Sequence, residues 1–177
     1  MPSTMEWSHI HSRPDLSGLE VLHAHFLNHR YPKHAHEHAV IGLVESGSVS
    51  LGYRGVRHQI GANGIFFVNP EEPHDGVIGD PSDPRGYTYR AVYPTPEFLT
   101  NIVGEDHLRQ LHFRDAVVDQ PSLSSKLRCA HRAAVQQTGF DPTQSISGMP
   151  PGQLADKQAA YQRAMSTCLE GRGYVVG

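Results

Sequence analysis

Between residues 19 and 93 the apolar positions fall in short runs of Val, Ile, Leu, Phe and Tyr punctuated by Gly, Pro, Asn and Asp. That is the cadence of a β meander or barrel rather than of packed helices. The pattern predicts strands over residues 19–28, 33–46, 48–53, 56–60, 65–69 and 87–93. Turns are expected at Glu45-Ser46-Gly47, Tyr53-Arg54-Gly55 and Gly61-Ala62-Asn63-Gly64, where glycine relieves the backbone. The run Ile65-Phe66-Phe67-Val68 is continuously apolar and should be covered on both faces. Pro70 ends it, because proline cannot donate to a ladder. Residues 76–86, dense in Gly, Asp and Pro, read as an exposed loop.

Helical signals follow the strands. Pro94-Thr95-Pro96-Glu97 opens a short helix to about Val103, with Thr95 able to cap and Pro96 losing no hydrogen bond in the first turn. The same logic recurs at Asp119-Gln120-Pro121-Ser122, after which Leu123, Leu127, Ala130 and Ala134 recur at spacings of three and four. This predicts an amphipathic helix from Ser122 to Gln137. Residues 138–152 read as a Gly-, Pro-, Ser- and Gln-rich linker, and residues 153–169 carry a weaker helical pattern through Leu154, Tyr161 and Met165. The resulting division is an N-terminal arm (1–18), a β-barrel (19–93), a helical extension with a candidate dimerisation helix (94–137), and a linker with a terminal helix (138–177).

Composition narrows the functional classes. The chain has 177 residues, 38% hydrophobic and 19% charged, ordinary for a globular domain with an appendage. Fifteen Lys and Arg against 18 Asp and Glu give a net charge of −3, so there is no broad positive field of the kind that holds a phosphate backbone. Cys129 and Cys168 lack the paired spacing of a zinc ribbon or disulfide scaffold and read as buried or idle thiols. No basic leader precedes an apolar run, and no stretch approaches the roughly 18 apolar residues that span a bilayer. A cytoplasmic protein without membrane contact is the simplest expectation.

The candidate chemistry lies in two stretches, Pro32-Lys33-His34-Ala35-His36-Glu37-His38 and Asn69-Pro70-Glu71-Glu72-Pro73-His74. Residues i and i+2 of a strand share a face, so His34 and His36 can aim at one point while a later hairpin returns His74 to meet them. Three neutral imidazoles form a facial set that leaves coordination positions open, and all-nitrogen ligation favours zinc or nickel. His38 shares that face and is a candidate fourth nitrogen. The alternative is a metal-free polar pocket in which the imidazoles only hydrogen-bond; the chain has 13 histidines. A carboxylate ligand four or five residues after His36 is missing, since Val40 and Ile41 stand there, while Glu37 points away and Glu45 lies beyond.

The run from His34-Ala35-His36 through Ile41-Gly42, Gly47, Tyr53-Arg54-Gly55, Gly64 and Asn69-Pro70-Glu71-Glu72-Pro73-His74-Asp75-Gly76 to Tyr89-Arg90 resembles the N-terminal cupin-type sensor domain of AraC-family transcriptional regulators. The resemblance covers residues from about 19 to 137. It implies a mainly β fold, a cupin-type double-stranded β-helix (a jelly-roll barrel) followed by C-terminal α-helices. It also implies a small-molecule effector in the barrel, a homodimer formed through the helices, and DNA recognition by helix-turn-helix modules. Residues 138–177 show no helix-turn-helix pattern and carry only Lys157, Arg163 and Arg172 as cations, so DNA contact is expected only through a region absent from this chain.

The expected ligand-binding residues are His34, His36, His74 and one of Tyr89 or Arg90, since strand neighbours cannot both face inward. A buried Arg90 would suit a carboxylate. The alternatives are a small metal-dependent cupin enzyme, a dioxygenase or isomerase built on the three histidines, and a metal-free sugar-binding cupin. The missing carboxylate and the lack of an acid–base partner weigh against catalysis.

Overall fold

The computed structural model describes residues 5–105 and 111–136. Ten strands alternate with tight turns: β1 (Trp7–Arg13), β2 (Leu19–Phe26), β3 (Tyr31–His34), β4 (Val40–Ser46), β5 (Ser48–Tyr53), β6 (Val56–Gly61), β7 (Ile65–Val68), β8 (His74–Ile78), β9 (Tyr87–Tyr93) and β10 (Val117–Val118). They form two antiparallel sheets, a six-stranded one in the order β1-β2-β9-β4-β7-β10 and a four-stranded one in the order β3-β8-β5-β6. Among the described residues the α-helices are α1 (Pro96–Val103) and α2 (Pro121–Gln136), and a 3-10 turn, Pro14–Leu16, joins β1 to β2. The linker and terminal helix expected over 138–177 lie outside the described residues, and among those described no helix is long and apolar enough to cross a membrane.

Two-residue periodicity builds the core between the sheets. On β9, Tyr87, Tyr89 and Ala91 join the inter-sheet cluster, while Val92 belongs to a smaller cluster on the other face, with Leu19, Val21 and Ala134 of α2. On β4, Val40 and Val44 face the lumen with Gly42 between them, where a Cβ would fall 2.0 Å from the Phe66 ring. The aromatic ring takes the space the glycine leaves. Each large side chain buried in this way contributes about 1.5–3 kcal/mol, against at most about 1 kcal/mol for an exposed ion pair such as Arg85–Asp83. Lumen packing, not surface charge, holds the barrel together.

Turn chemistry fixes the register. Arg54 and Gly55, with φ of 51° and 76°, form the two-residue left-handed turn that matches the twist of the β5–β6 hairpin. Gly86 enters β9 with φ of 66°, and a Cβ there would lie 2.0 Å from the Phe26 carbonyl oxygen. Gly86→Ala should therefore destabilise the domain by at least about 2 kcal/mol, the left-handed penalty adding to a backbone collision. A denaturant titration showing a change under about 0.5 kcal/mol would contradict that packing.

Three features depart from the sequence pattern. The N-terminal arm contains β1, which pairs along β2 from Trp7↔His25 to Arg13↔Leu19. The continuous strand expected over 33–46 is broken at residues 35–39, because β3 and β4 belong to different sheets and the chain crosses between them there. The loop expected from residue 76 begins only after β8 has paired with both β3 and β5. Cys129 is exposed.

Candidate functional site

The sheet crossing brings three imidazoles together. His34 at the end of β3 lies directly opposite His74 at the start of β8, and His36 sits on the crossing itself. One nitrogen from each of the three lies within 4.8 Å of the others, and ring centroids are 4.4–5.0 Å apart. Strand pairing sets His34 opposite His74, while His36 lies beyond the end of β3, two residues after His34.

Backbone carbonyls fix the rings. His34 Nδ1–H donates to the Pro32 carbonyl at 2.6 Å and His74 Nδ1–H donates to the Glu72 carbonyl at 3.1 Å. In a neutral imidazole that assignment leaves Nε2 as a bare lone pair. His34 Nε2 lies 3.1 Å from His36 Nε2, so the lone pairs converge where either an N–H of His36 or a cation can satisfy them. Ligating histidines are oriented by a carbonyl on the opposite nitrogen in this same manner.

Electrostatics keep the cluster neutral. Burial, reinforced by the neighbouring His34, His74 and His38, pushes His36 down to about 2. Burial, with His34 adding to it, pushes His74 down to about 4, and burial lowers His34 as well. At neutral pH all three therefore offer lone pairs without losing a proton, the state a metal requires.

The loop between β7 and β8 holds two of the three. Glu71, with a left-handed φ of 64°, donates its N–H to the His36 carbonyl at 2.8 Å, and Glu72 supplies the carbonyl for His74. The Glu72 side chain is itself gripped by the Tyr53 hydroxyl and by Arg54, at 2.7 and 2.9 Å. Arg54 also donates to the carbonyls of Phe113 and Arg114, and Asn69 makes two hydrogen bonds to Phe113. Arg54 and Asn69 thus tie the segment leading to β10 and α2 to the rim that carries His74.

The other candidates divide by face. Tyr89 points into the lumen, its hydroxyl 2.9 Å from that of Tyr31, and burial raises its pKa so that it stays a phenol. Arg90 points the other way, donating to Glu45 at 2.7 Å and to His131 of α2 at 3.0 Å. It does not join the imidazoles. His38 stands outside the triad, with a buried Nδ1 that has no hydrogen-bond partner.

Sequence reasoning missed Tyr31, whose ring lies 6.1 Å from His34, and Tyr93, whose ring meets His36 edge-on at 5.6 Å. The period of two from Tyr89 already placed Tyr93 on the lumen side of β9. Nothing local signals Glu72, which acts through its backbone.

Beneath α2 lies a polar junction. Glu45 accepts from His23, Arg90 and Arg128; burial alone would raise its carboxyl, but the hydrogen bonds from His23 and Arg90 hold it well below the usual range. His131 accepts from Arg90 at Nδ1 and donates from Nε2 to the Leu22 carbonyl at 2.8 Å. Ser124, His131 and Ala134 are the buried residues of α2, so of the predicted stripe only Ala134 is fully docked. Leu123 and Leu127 are half-buried, Ala130 is exposed, and Ser124 and His131 meet polar partners on the sheet.

A jelly-roll of two antiparallel sheets with three convergent histidines at its mouth defines a cupin-type domain. The model of the AraC-like ligand binding domain matches residues 16–155, and the chain belongs to that family. Among solved structures the chain is similar to KdgF from Halomonas sp. (21% identity over 50% of this chain and 77% of that one, TM-score 0.41). It is also similar to a cupin superfamily protein from Desulfitobacterium hafniense (9% identity, 52% and 87% covered, TM-score 0.43) and an RmlC-like cupin from Shewanella frigidimarina (24%, 46% and 70%, TM-score 0.37). No curated protein matches the sequence.

Proposed function

We propose that this domain is the effector sensor of an AraC-type transcriptional regulator. A small molecule enters the lumen beside His34, His36 and His74, which hold a divalent metal, zinc or nickel. The observation that carries this reading is the orientation of His34 and His74, each with Nδ1–H committed to a carbonyl and Nε2 left for a cation. The donor set fits such an ion: three neutral nitrogens, buried or half-buried, with no carboxylate among the described residues in the cluster. A metal held there would act as a Lewis acid toward an oxygen or nitrogen donor of the effector. Tyr31 and Tyr93 supply aromatic walls, and Tyr89 a phenol, for the remainder of the molecule.

The sensor reading is favoured over a metal-dependent enzyme because Glu45, the carboxylate nearest in sequence after the histidine run, is committed to the polar junction on the outer face. Signal output would run through α2, whose Leu123, Leu127 and Ala130 flank the docked face and would meet a second copy in a homodimer. DNA contact would belong to helix-turn-helix modules of the regulator.

Metal-loaded protein screened by thermal shift against small oxygen- and nitrogen-donor molecules should yield a ligand that raises Tm in wild type and not in His34→Ala/His36→Ala. Turnover of that ligand, or an equal response in the variant, would overturn the reading. Glu72→Ala, which frees the loop carrying the His74 carbonyl partner, should weaken zinc or nickel binding about tenfold by calorimetry, and Glu72→Gln less. Unchanged affinity in Glu72→Ala would remove the loop from the account.

A further inference from the structure

The four-stranded sheet carries a second concavity on the face turned away from the imidazoles. Strand alternation sets it there: Lys33 precedes His34 on β3, and Asp75 follows His74 on β8. The cavity has a volume of about 450 Å³, within the roughly 300–1,000 Å³ range of small-molecule sites, and its polar lining is Arg30, Lys33, Ser50, Arg57 and Asp75.

Its floor is built rather than incidental. Arg57, Gly52 and Asp75 lie in register across β6, β5 and β8. Arg57 and Asp75 form a two-pronged ion pair, Nη1–Oδ1 2.6 Å and Nη2–Oδ2 3.1 Å, directly over Gly52. A Cβ at residue 52 would lie 2.4 Å from Asp75 Oδ2 and 2.8 Å from Arg57 Nη2, so the bare glycine seats the pair against the sheet. Arg57 Nη1 also donates to the Ser50 carbonyl at 3.5 Å, and none of these contacts uses its Nε–H. Ser50 Oγ accepts from Gln59 at 3.0 Å, which leaves its own hydroxyl proton to donate.

Charge completes the case. Asp75 is neutralised by Arg57, while Arg30 and Lys33 have no acidic partner among the described residues. The chain as a whole is net −3, so two surplus cations in one concavity are not a reflection of a basic protein. Arginine and lysine arranged around an open site favour an oxyanion, which accepts charge-assisted hydrogen bonds from both. Three cations are too few to follow a nucleic-acid backbone, whose affinity grows with the number of phosphates contacted.

We propose that this groove is a second ligand site, separate from the imidazole cluster, for a small molecule presenting a phosphate or carboxylate group to Arg30, Lys33 and Arg57. The test is an amide-shift NMR titration of the metal-stripped full chain with inorganic phosphate and, separately, tricarballylate at low salt. Stripping the metal removes coordination by either anion at the histidines. Saturable shifts should centre on residues 30–33, 50–52, 57 and 75–77, and Arg30→Glu/Lys33→Glu should weaken binding at least about tenfold. His34→Ala/His36→Ala should leave the affinity unchanged. Both reversed residues are exposed, and a thermal melt verifies that the variant is folded. Response to phosphate alone assigns the site to phosphate esters, and response to tricarballylate alone assigns it to polycarboxylates. The absence of saturable shifts, equal affinity in the charge-reversed variant, or shifts centred on His34, His36 and His74 would overturn the proposal.

Discussion

If the triad holds zinc or nickel as proposed, His36→Ala should lower the affinity by at least about a hundredfold, while His38→Ala should change it less than about threefold. The contrast follows from geometry. His36 places its Nε2 3.1 Å from that of His34 and belongs to the triad, whereas His38 does not. Partners one shell further out already cost about 10–100-fold when removed, so losing one of three direct donors costs no less. Stability of the metal-free protein should move little in the opposite direction to affinity, because removing His36 also removes a crowded, desolvated imidazole. Isothermal titration of both variants, paired with denaturant melts of the metal-free forms, reads the two effects apart. Equal losses in His36→Ala and His38→Ala would mean that the metal sits elsewhere.

Arg90→Ala destabilises the domain by about 3–5 kcal/mol, the usual consequence of stripping one partner from a buried charge network. Arg90 is 8% exposed and joins Glu45 on β4 to His131 on α2. Without it Glu45 keeps only His23 and Arg128, and His131 loses the cation that opposes its protonation. The helix also hangs on Arg13, which donates to the Ala134 carbonyl at 2.6 Å, and on Ser124, which donates to Asn63 at 2.6 Å. Amide exchange in α2 should therefore accelerate before the barrel opens.

The same junction sets a pH dependence. Burial pushes His131 down to about 4 from an ordinary 6.5; the Leu22 hydrogen bond opposes that shift, and the Arg90 charge adds to it. The unfolded chain takes up a proton that the folded one refuses, so this contribution is fully present above pH 6.5. It is lost as pH falls toward 4, about 3 kcal/mol in all. Glu45, held below its ordinary 4.5, adds stability that is lost only as pH falls beneath that value. The buried imidazoles of His34, His36 and His74, lowered in the same way, steepen the same window in the metal-free protein. His131→Gln should therefore remove only its own share of the slope between pH 6.5 and 4, and an unchanged profile in that variant would exclude His131 as a contributor.

Much of this architecture is legible in the amino-acid sequence. The hairpin turns, the buried run at residues 65–68, the proline-led helix starts and the return of His74 to His34 all follow from local patterning and strand alternation. What escaped did so for physical reasons. Trp-Ser-His-Ile-His-Ser-Arg of β1 is an edge strand with little apolar alternation, and β8 contains Asp75 and Gly76, residues that locally favour a turn. The break at residues 35–39 is a change of sheet, which no local propensity encodes. Arg90 meets Glu45 and His131 across 45 and 41 residues of chain, so its role emerges only once β4, β9 and α2 are brought together.

The most direct measurement is the elemental content of purified wild-type protein beside His34→Ala/His36→Ala. The three-imidazole account predicts one zinc or nickel per chain in wild type and none in the variant. Wild type that carries no stoichiometric metal, and takes up none when zinc and nickel are supplied, would contradict it.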